Sequence, residues 1–207
     1  MIKILGLSVG FLITLNCSSI YAQAADSEYY NDLYCTTCHG VDGIGNEEVS
    51  APRLAGMEAW YLQRQLESFR AGARGTHSMD LQGIEMRAMA EDLNDASIKD
   101  IVAWVGTWEF KPAPITIAGD VQAGKALYTA CASCHGAQAQ GNEAMGAPAL
   151  AGQDDWYLAT QLENFKKGYR GSQPGDRFGS QMIVMASMLA DDTAIENIVS
   201  YINTLGR

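Results

Sequence analysis

The sequence predicts an all-α protein built as two tandem copies of one small domain. Three observations carry that prediction. The segment Cys35-Thr36-Thr37-Cys38-His39 returns 96 positions later as Cys131-Ala132-Ser133-Cys134-His135. The same offset then runs on without a gap through Pro52-x-Leu54-Ala55-Gly56 and Pro148-x-Leu150-Ala151-Gly152, through Trp60-Tyr61-Leu62 and Trp156-Tyr157-Leu158, and through Arg74-Gly75 and Arg170-Gly171. Apolar residues recur at helical spacing in both copies, and no alternating strand pattern stands out.

The chain opens on Met1-Ile2-Lys3, an apolar run from Ile4 to Leu15, and Ala22-Gln23-Ala24. This is the pattern of a secretory signal peptide, with cleavage expected after Ala24. The run is short for a membrane span, so cleavage is favoured over an uncleaved membrane anchor. The expected organisation is a signal peptide over 1–24, a first domain over 25–111 and a second over 112–207. A linker at about 109–119 is marked by Pro112 and Pro114, which cannot continue a helix.

Within each copy a first helix ends in the repeated cysteine motif. A second is expected over about 58–70 and 154–167, with Leu62, Leu66, Phe69 and Leu158, Leu162, Phe165 as its core stripe. A last helix is expected over about 95–107 and 192–204. Ile98, Ile101, Val102, Val105 and Ile195, Ile198, Val199, Ile202 face inward there, with Asn94 and Asp191 or Asp192 as candidate N-caps. Leu33-Tyr34 abuts Cys35, whereas Leu127-Tyr128 stands two residues further from Cys131, so the first helix is expected to be shortened in the first copy.

The repeated motif carries the chemistry. C-x-x-C-H is the attachment signature of c-type haem. Cysteines at i and i+3 share one helical face and can both form thioethers to a single macrocycle. The adjacent histidine can offer a neutral imidazole nitrogen to the iron. A zinc site needs four N/S ligands, and each copy has three. A thioredoxin-like dithiol expects a βαβ context that is absent. Two motifs therefore imply two haems, attached through Cys35, Cys38, Cys131 and Cys134, with His39 and His135 on the irons.

With the leader removed, every remaining cysteine belongs to a motif, so no structural disulfide is expected. Export, cysteine usage and c-type haem agree on the periplasm. No later stretch is apolar enough to span a bilayer. Residues 25–111 carry 15 acidic and 7 basic side chains, and residues 112–207 carry 9 and 6. That balance argues against nucleic acid and anionic lipid as partners and favours basic docking surfaces.

The opposite axial position decides between carrying electrons and reacting with a bound molecule. Only His77 lies outside the motifs, and its counterpart is Gln173, so both haems cannot be bis-histidine within this chain. His77 reads as an exposed loop residue. Methionines paired between the copies are Met86 with Met182 and Met89 with Met185. Spacing alone does not choose between these sets.

Across essentially the whole chain after the leader, through both haem motifs, the Pro-x-Leu-Ala-Gly segments, the Tyr-Leu and Gln-Leu helices and the methionine segments, the sequence resembles the cytochrome c4 family of dihaem class I cytochromes c. The resemblance implies two tandem cytochrome c-type domains, each wrapped around one covalently bound haem with His/Met ligation. It places the ligand methionine seven residues before the apolar residue that precedes the last helix. Counting back from Leu93 and Leu189 gives Met86 and Met182, with Met89 and Met185 as alternatives. It also assigns Pro52 and Pro148 the role of orienting the haem histidine through their carbonyls.

The function implied is a periplasmic electron carrier and not an enzyme. Its electrons would come from a quinol-oxidising complex or another dehydrogenase and pass to a terminal oxidase. A haem subunit of a dehydrogenase complex is the alternative. A dihaem peroxidase is disfavoured, because a peroxide site wants an open distal position with acid–base groups.

Overall fold

The fold is known from a computed structural model that describes residues 32–206. The leader at 1–24 and the expected shortening before Cys35 both fall outside the described residues. Helix α1 spans Asp32–His39, α2 Ala59–Arg70, α3 Leu81–Ala90 and α4 Asp95–Val105. Helix α5 spans Val121–His135, α6 Asp155–Lys166, α7 Arg177–Ala186 and α8 Asp192–Ile202. Among the described residues there is no strand, only two isolated bridges, Asn46 with Ala51 and Asn142 with Ala147. The second bridge is the first displaced by the repeat. None of these helices is long and apolar enough to cross a membrane.

Local sequence explains the helix starts. Asn94 accepts from the Ser97 N–H at 2.9 Å, and Asp191, rather than Asp192, accepts from Ala194 N–H at 2.9 Å. Such caps are each worth about 1 kcal/mol. Asp80 and Asp176 cap α3 and α7 through the Gly83 and Gly179 N–H groups. Helices α3 and α7 carry the methionine segments and were not among the helices expected from the sequence. Glycine inside a helix weakens it, but here a Cβ on Gly83 or Gly179 would collide with the capping carboxylate of Asp80 or Asp176.

The apolar stripes pack as the periodicity predicts. Leu62, Leu66 and Phe69 of α2 are buried with Ile98, Ile101 and Val105 of α4. In the second copy Tyr128 of α5, Leu158 of α6 and Ile195, Ile198, Val199 and Ile202 of α8 form one core cluster. Helix α5 crosses α8 at Gly124, where a Cβ would overlap the Asn197 carbonyl. Residues 109–120 have no regular structure. The buried Asp155 holds this stretch, accepting from the Thr116 N–H at 2.7 Å and the Ile117 N–H at 2.8 Å.

Candidate haem sites

Each cysteine motif closes a helix, α1 or α5, and its histidine is the last helical residue. His39 and His135 are both only 6% exposed. Their Nδ1 atoms lie 2.7 Å from the carbonyl oxygens of Pro52 and Pro148. A carbonyl can only accept, so Nδ1 carries the proton and Nε2 is the nitrogen left with a lone pair. Burial pushes both imidazoles below the usual histidine range, partly opposed by these carbonyl bonds. The result is a neutral ring held in the tautomer that a metal requires. Cys35, Cys38, Cys131 and Cys134 are all free of disulfides. Burial, with a smaller effect of the partner cysteine, raises the Cys35 and Cys131 thiols.

In the second copy these side chains face a cavity of about 300 Å³. Cys131, Cys134 and His135 of α5 line one side, and Met182 and Met185 of α7 also line it. Leu158, Phe165, Ile198 and Ile202 supply apolar walls. Both methionines reach the cavity because i and i+3 share a helical face. In the first copy Met86 and Met89 occupy the matching, half-buried positions on α3.

Residues 33–206 form one compact unit, and its two halves meet along a pseudo-symmetric seam. Arg74 donates to its own domain's Gln65 at 2.7 Å, and across the seam to the Tyr157 hydroxyl and the Gln161 side chain at 3.1 Å each. Arg170 donates to Gln161 at 2.7 Å, then across to the Tyr61 hydroxyl at 3.2 Å and Gln65 at 2.9 Å. Burial raises the Tyr157 phenol, but the Arg74 and Arg170 charges outweigh it and hold it below the usual tyrosine range. Arg64 lies 4.4 Å over the Phe178 ring and donates to the Gly146 carbonyl at 2.7 Å. His77 is a loop residue as expected, but it is half-buried and stacked on Tyr169 with centroids 4.7 Å apart.

This arrangement fits c-type haem. The second domain's cavity is mostly apolar, with thiols and an unprotonated imidazole nitrogen among its lining together with thioethers. Among the described residues the buried Nε atoms of Arg74 and Arg170 have no hydrogen-bond partner. Arg170 and Tyr157 border the cavity, and buried donors of this kind suit the carboxylates that a haem carries. The seam was missed in the sequence. The repeated Tyr, Gln and Arg were visible there, but nothing local distinguishes a helix-surface arginine from one that reaches another domain.

The Cytochrome c family model matches residues 25–109 and 121–206. The chain is 33% identical to the thiosulfate dehydrogenase electron acceptor of Stutzerimonas stutzeri (strain A1501), over 91% of this chain and 90% of that protein. It is 31% identical to cytochrome c4 of Stutzerimonas stutzeri, over 95% and 97% of the two chains. The crystal structure of reduced recombinant cytochrome c4 from Pseudomonas stutzeri matches with a TM-score of 0.63 at 31% identity, covering 81% of this chain and 91% of that one.

Proposed function

The chain belongs to the cytochrome c4 family of dihaem cytochromes c, and from that premise we propose a periplasmic carrier that passes electrons singly between respiratory proteins. The carrying observation is the saturation of the histidines. Each motif histidine is buried with Nδ1 committed to a proline carbonyl, and the one other histidine is stacked on Tyr169. Methionine is then the ligand available opposite each.

Bound c-type haem supplies one-electron chemistry at iron. The chain's own residues attach, orient and shield that group. Cys35, Cys38, Cys131 and Cys134 would hold it by thioethers, and His39 and His135 would offer Nε2 to the iron. Met86 and Met182 would be the methionine ligands by the family's seven-residue spacing to the buried Leu93 and Leu189. Met89 and Met185 then serve as packing. A thioether is neutral and favours ferrous iron, which suits a carrier of higher potential. The apolar wall of Leu158, Phe165, Ile198 and Ile202 limits water, and with it competing reactions.

The first domain is the proposed docking face. The segment after its motif exposes Asp42, Glu47 and Glu48 among the apolar Val41, Ile44 and Val49. The equivalent segment of the second domain replaces Asp42, Ile44 and Glu48 by Gln138, Gln140 and Ala144. An apolar contact inside an acidic rim suits a partner of the opposite polarity. A quinol-oxidising complex or another dehydrogenase is the proposed donor, and a terminal oxidase the proposed acceptor. The relative named as a thiosulfate dehydrogenase electron acceptor favours a second reading, a haem subunit held in a dehydrogenase complex. Co-purification of a dehydrogenase with the native protein would support that reading.

The direct test is carbon monoxide with the reduced holoprotein, alongside a haem count. Two haems per chain and no carbon monoxide binding are expected. Binding at either iron would contradict a saturated carrier.

A further inference from the structure

The haem-orienting peptides are each clamped from the other domain. Pro148 C=O and Ala149 N–H belong to one peptide unit. The C=O lies 2.7 Å from His135 Nδ1, and the N–H donates to Glu58 Oε1, in the first domain, at 2.8 Å. The reciprocal set is present. Pro52 C=O lies 2.7 Å from His39 Nδ1, and Arg53 N–H donates to Asp154 Oδ2, in the second domain, at 2.7 Å. Positions 58 and 154, and positions 53 and 149, are equivalent by the repeat.

These contacts are built. Glu58 and Asp154 occupy the N-cap positions of α2 and α6, yet neither side chain caps its own helix. Both reach across the seam over a glycine. A Cβ on Gly141 would lie 2.8 Å from Glu58 Oε1, and one on Gly45 would lie 2.5 Å from Asp154 Oδ2. The glycines leave room for the opposite domain's carboxylate.

The two carboxylates are set differently: Asp154 is buried, whereas Glu58 is half-buried. Asp154 is faced by the Arg53 guanidinium, with Nε 3.6 Å from Oδ1 and both side chains buried. The residue equivalent to Arg53 is Ala149, and among the described residues no cation forms an ion pair with Glu58.

The geometry points to Glu58 and Asp154 as cross-domain positioning residues that set the donor strength of the other domain's haem histidine, unequally because Asp154 alone is offset by a cation. Hydrogen bonds in a chain polarise one another. A negative charge at a peptide N–H draws electron density onto the same peptide's oxygen. The stronger acceptor pulls the Nδ1 proton and makes Nε2 the better donor, which favours ferric iron. Glu58 acts on His135 with no cation paired to it among the described residues, whereas Arg53 blunts the effect of Asp154 on His39.

This inference rests on the His/Met reading, and its test separates the two. Each haem of the wild-type holoprotein and of Glu58→Gln is titrated, with the haems assigned by their methionine methyl signals. Glu58→Gln is expected to raise the potential of the haem on His135, seen as a severalfold shift in how one electron partitions between the haems. The His135 Nδ1–H resonance should move upfield and that of His39 should hold. Ala149→Arg, which supplies the missing cation and keeps the carboxylate, should shift the same haem in the same direction. Equal shifts at both haems, a shift confined to the His39 haem, or no shift in either variant overturns the inference. Loss of the methionine signal in the wild type would instead overturn the ligation reading.

Discussion

The Arg74 guanidinium of the first domain lies 3.1 Å from the Tyr157 hydroxyl of the second. Arg170 returns the contact on Tyr61 at 3.2 Å. The two halves are thus related as an isologous pair within one chain, each presenting Tyr, Gln and Arg to the same residues of the other.

Arg74→Met tests the seam. It removes the arginine donor to Tyr157, and leaves Gln65 and Gln161 with Arg170 alone, so we expect a loss of about 1–3 kcal/mol. Denaturant unfolding of the holoprotein measures it. A loss within 0.5 kcal/mol or so, as for an ordinary surface change, would mean that the seam is not held through this cluster.

Gly124→Ala tests the crossing of α5 on α8. The added methyl would overlap the backbone carbonyl of Asn197, which cannot rotate away. Overpacking of this kind costs about 1–3 kcal/mol, the reverse of the gain that alanine brings to an exposed helix. Thermal melting should show a lower midpoint. Gly168→Ala is a useful comparison, because nothing lies within 4 Å of a Cβ there and the cost comes from its φ of +71° alone.

Asp155 makes a pH-dependent contribution. Burial acts to raise its carboxyl, but hydrogen bonds from Ile117, Thr116 and Asn203 outweigh it and hold the group below the usual aspartate range. A carboxyl lowered in the folded state stabilises above its unfolded value, and that stability is lost as pH falls through the folded value. Wild type should therefore exceed Asp155→Asn in stability at neutral pH, and the gap should close in acid. A gap independent of pH would assign the stabilisation to shape rather than charge.

Neutralising the first domain's acidic segment tests docking. Asp42→Asn with Glu47→Gln and Glu48→Gln should slow association with a basic redox partner at low salt and leave the rate at high salt nearly unchanged. The matching change Glu143→Gln in the second domain should have the smaller effect.

Much of this was legible in the sequence. The cysteine motifs, the repeat, the stripes of α2, α4, α6 and α8 and the caps Asn94 and Asp191 all rest on local pattern, and local pattern survives folding. Helices α3 and α7 were not among the expected helices, although Asp80 and Asp176 cap them locally just as Asn94 and Asp191 cap α4 and α8. Gly83 and Gly179 lower their helix propensity for a packing reason seen only in three dimensions. The roles of Glu58, Asp154, Arg74 and Arg170 were hidden for a further reason. Their partners lie more than 80 residues away, and a cap-position carboxylate looks the same whether it serves its own helix or another domain's peptide.

Each haem is proposed to be closed by a methionine, Met86 in one domain and Met182 in the other. Spectroelectrochemistry of wild type beside Met86→Ala and Met182→Ala tests it directly, through the ferric red-region band of methionine–iron ligation. Each variant is expected to lose about half of that band and to lower the potential of one haem only. Bands unchanged in both variants would contradict the account and move the ligands to Met89 and Met185.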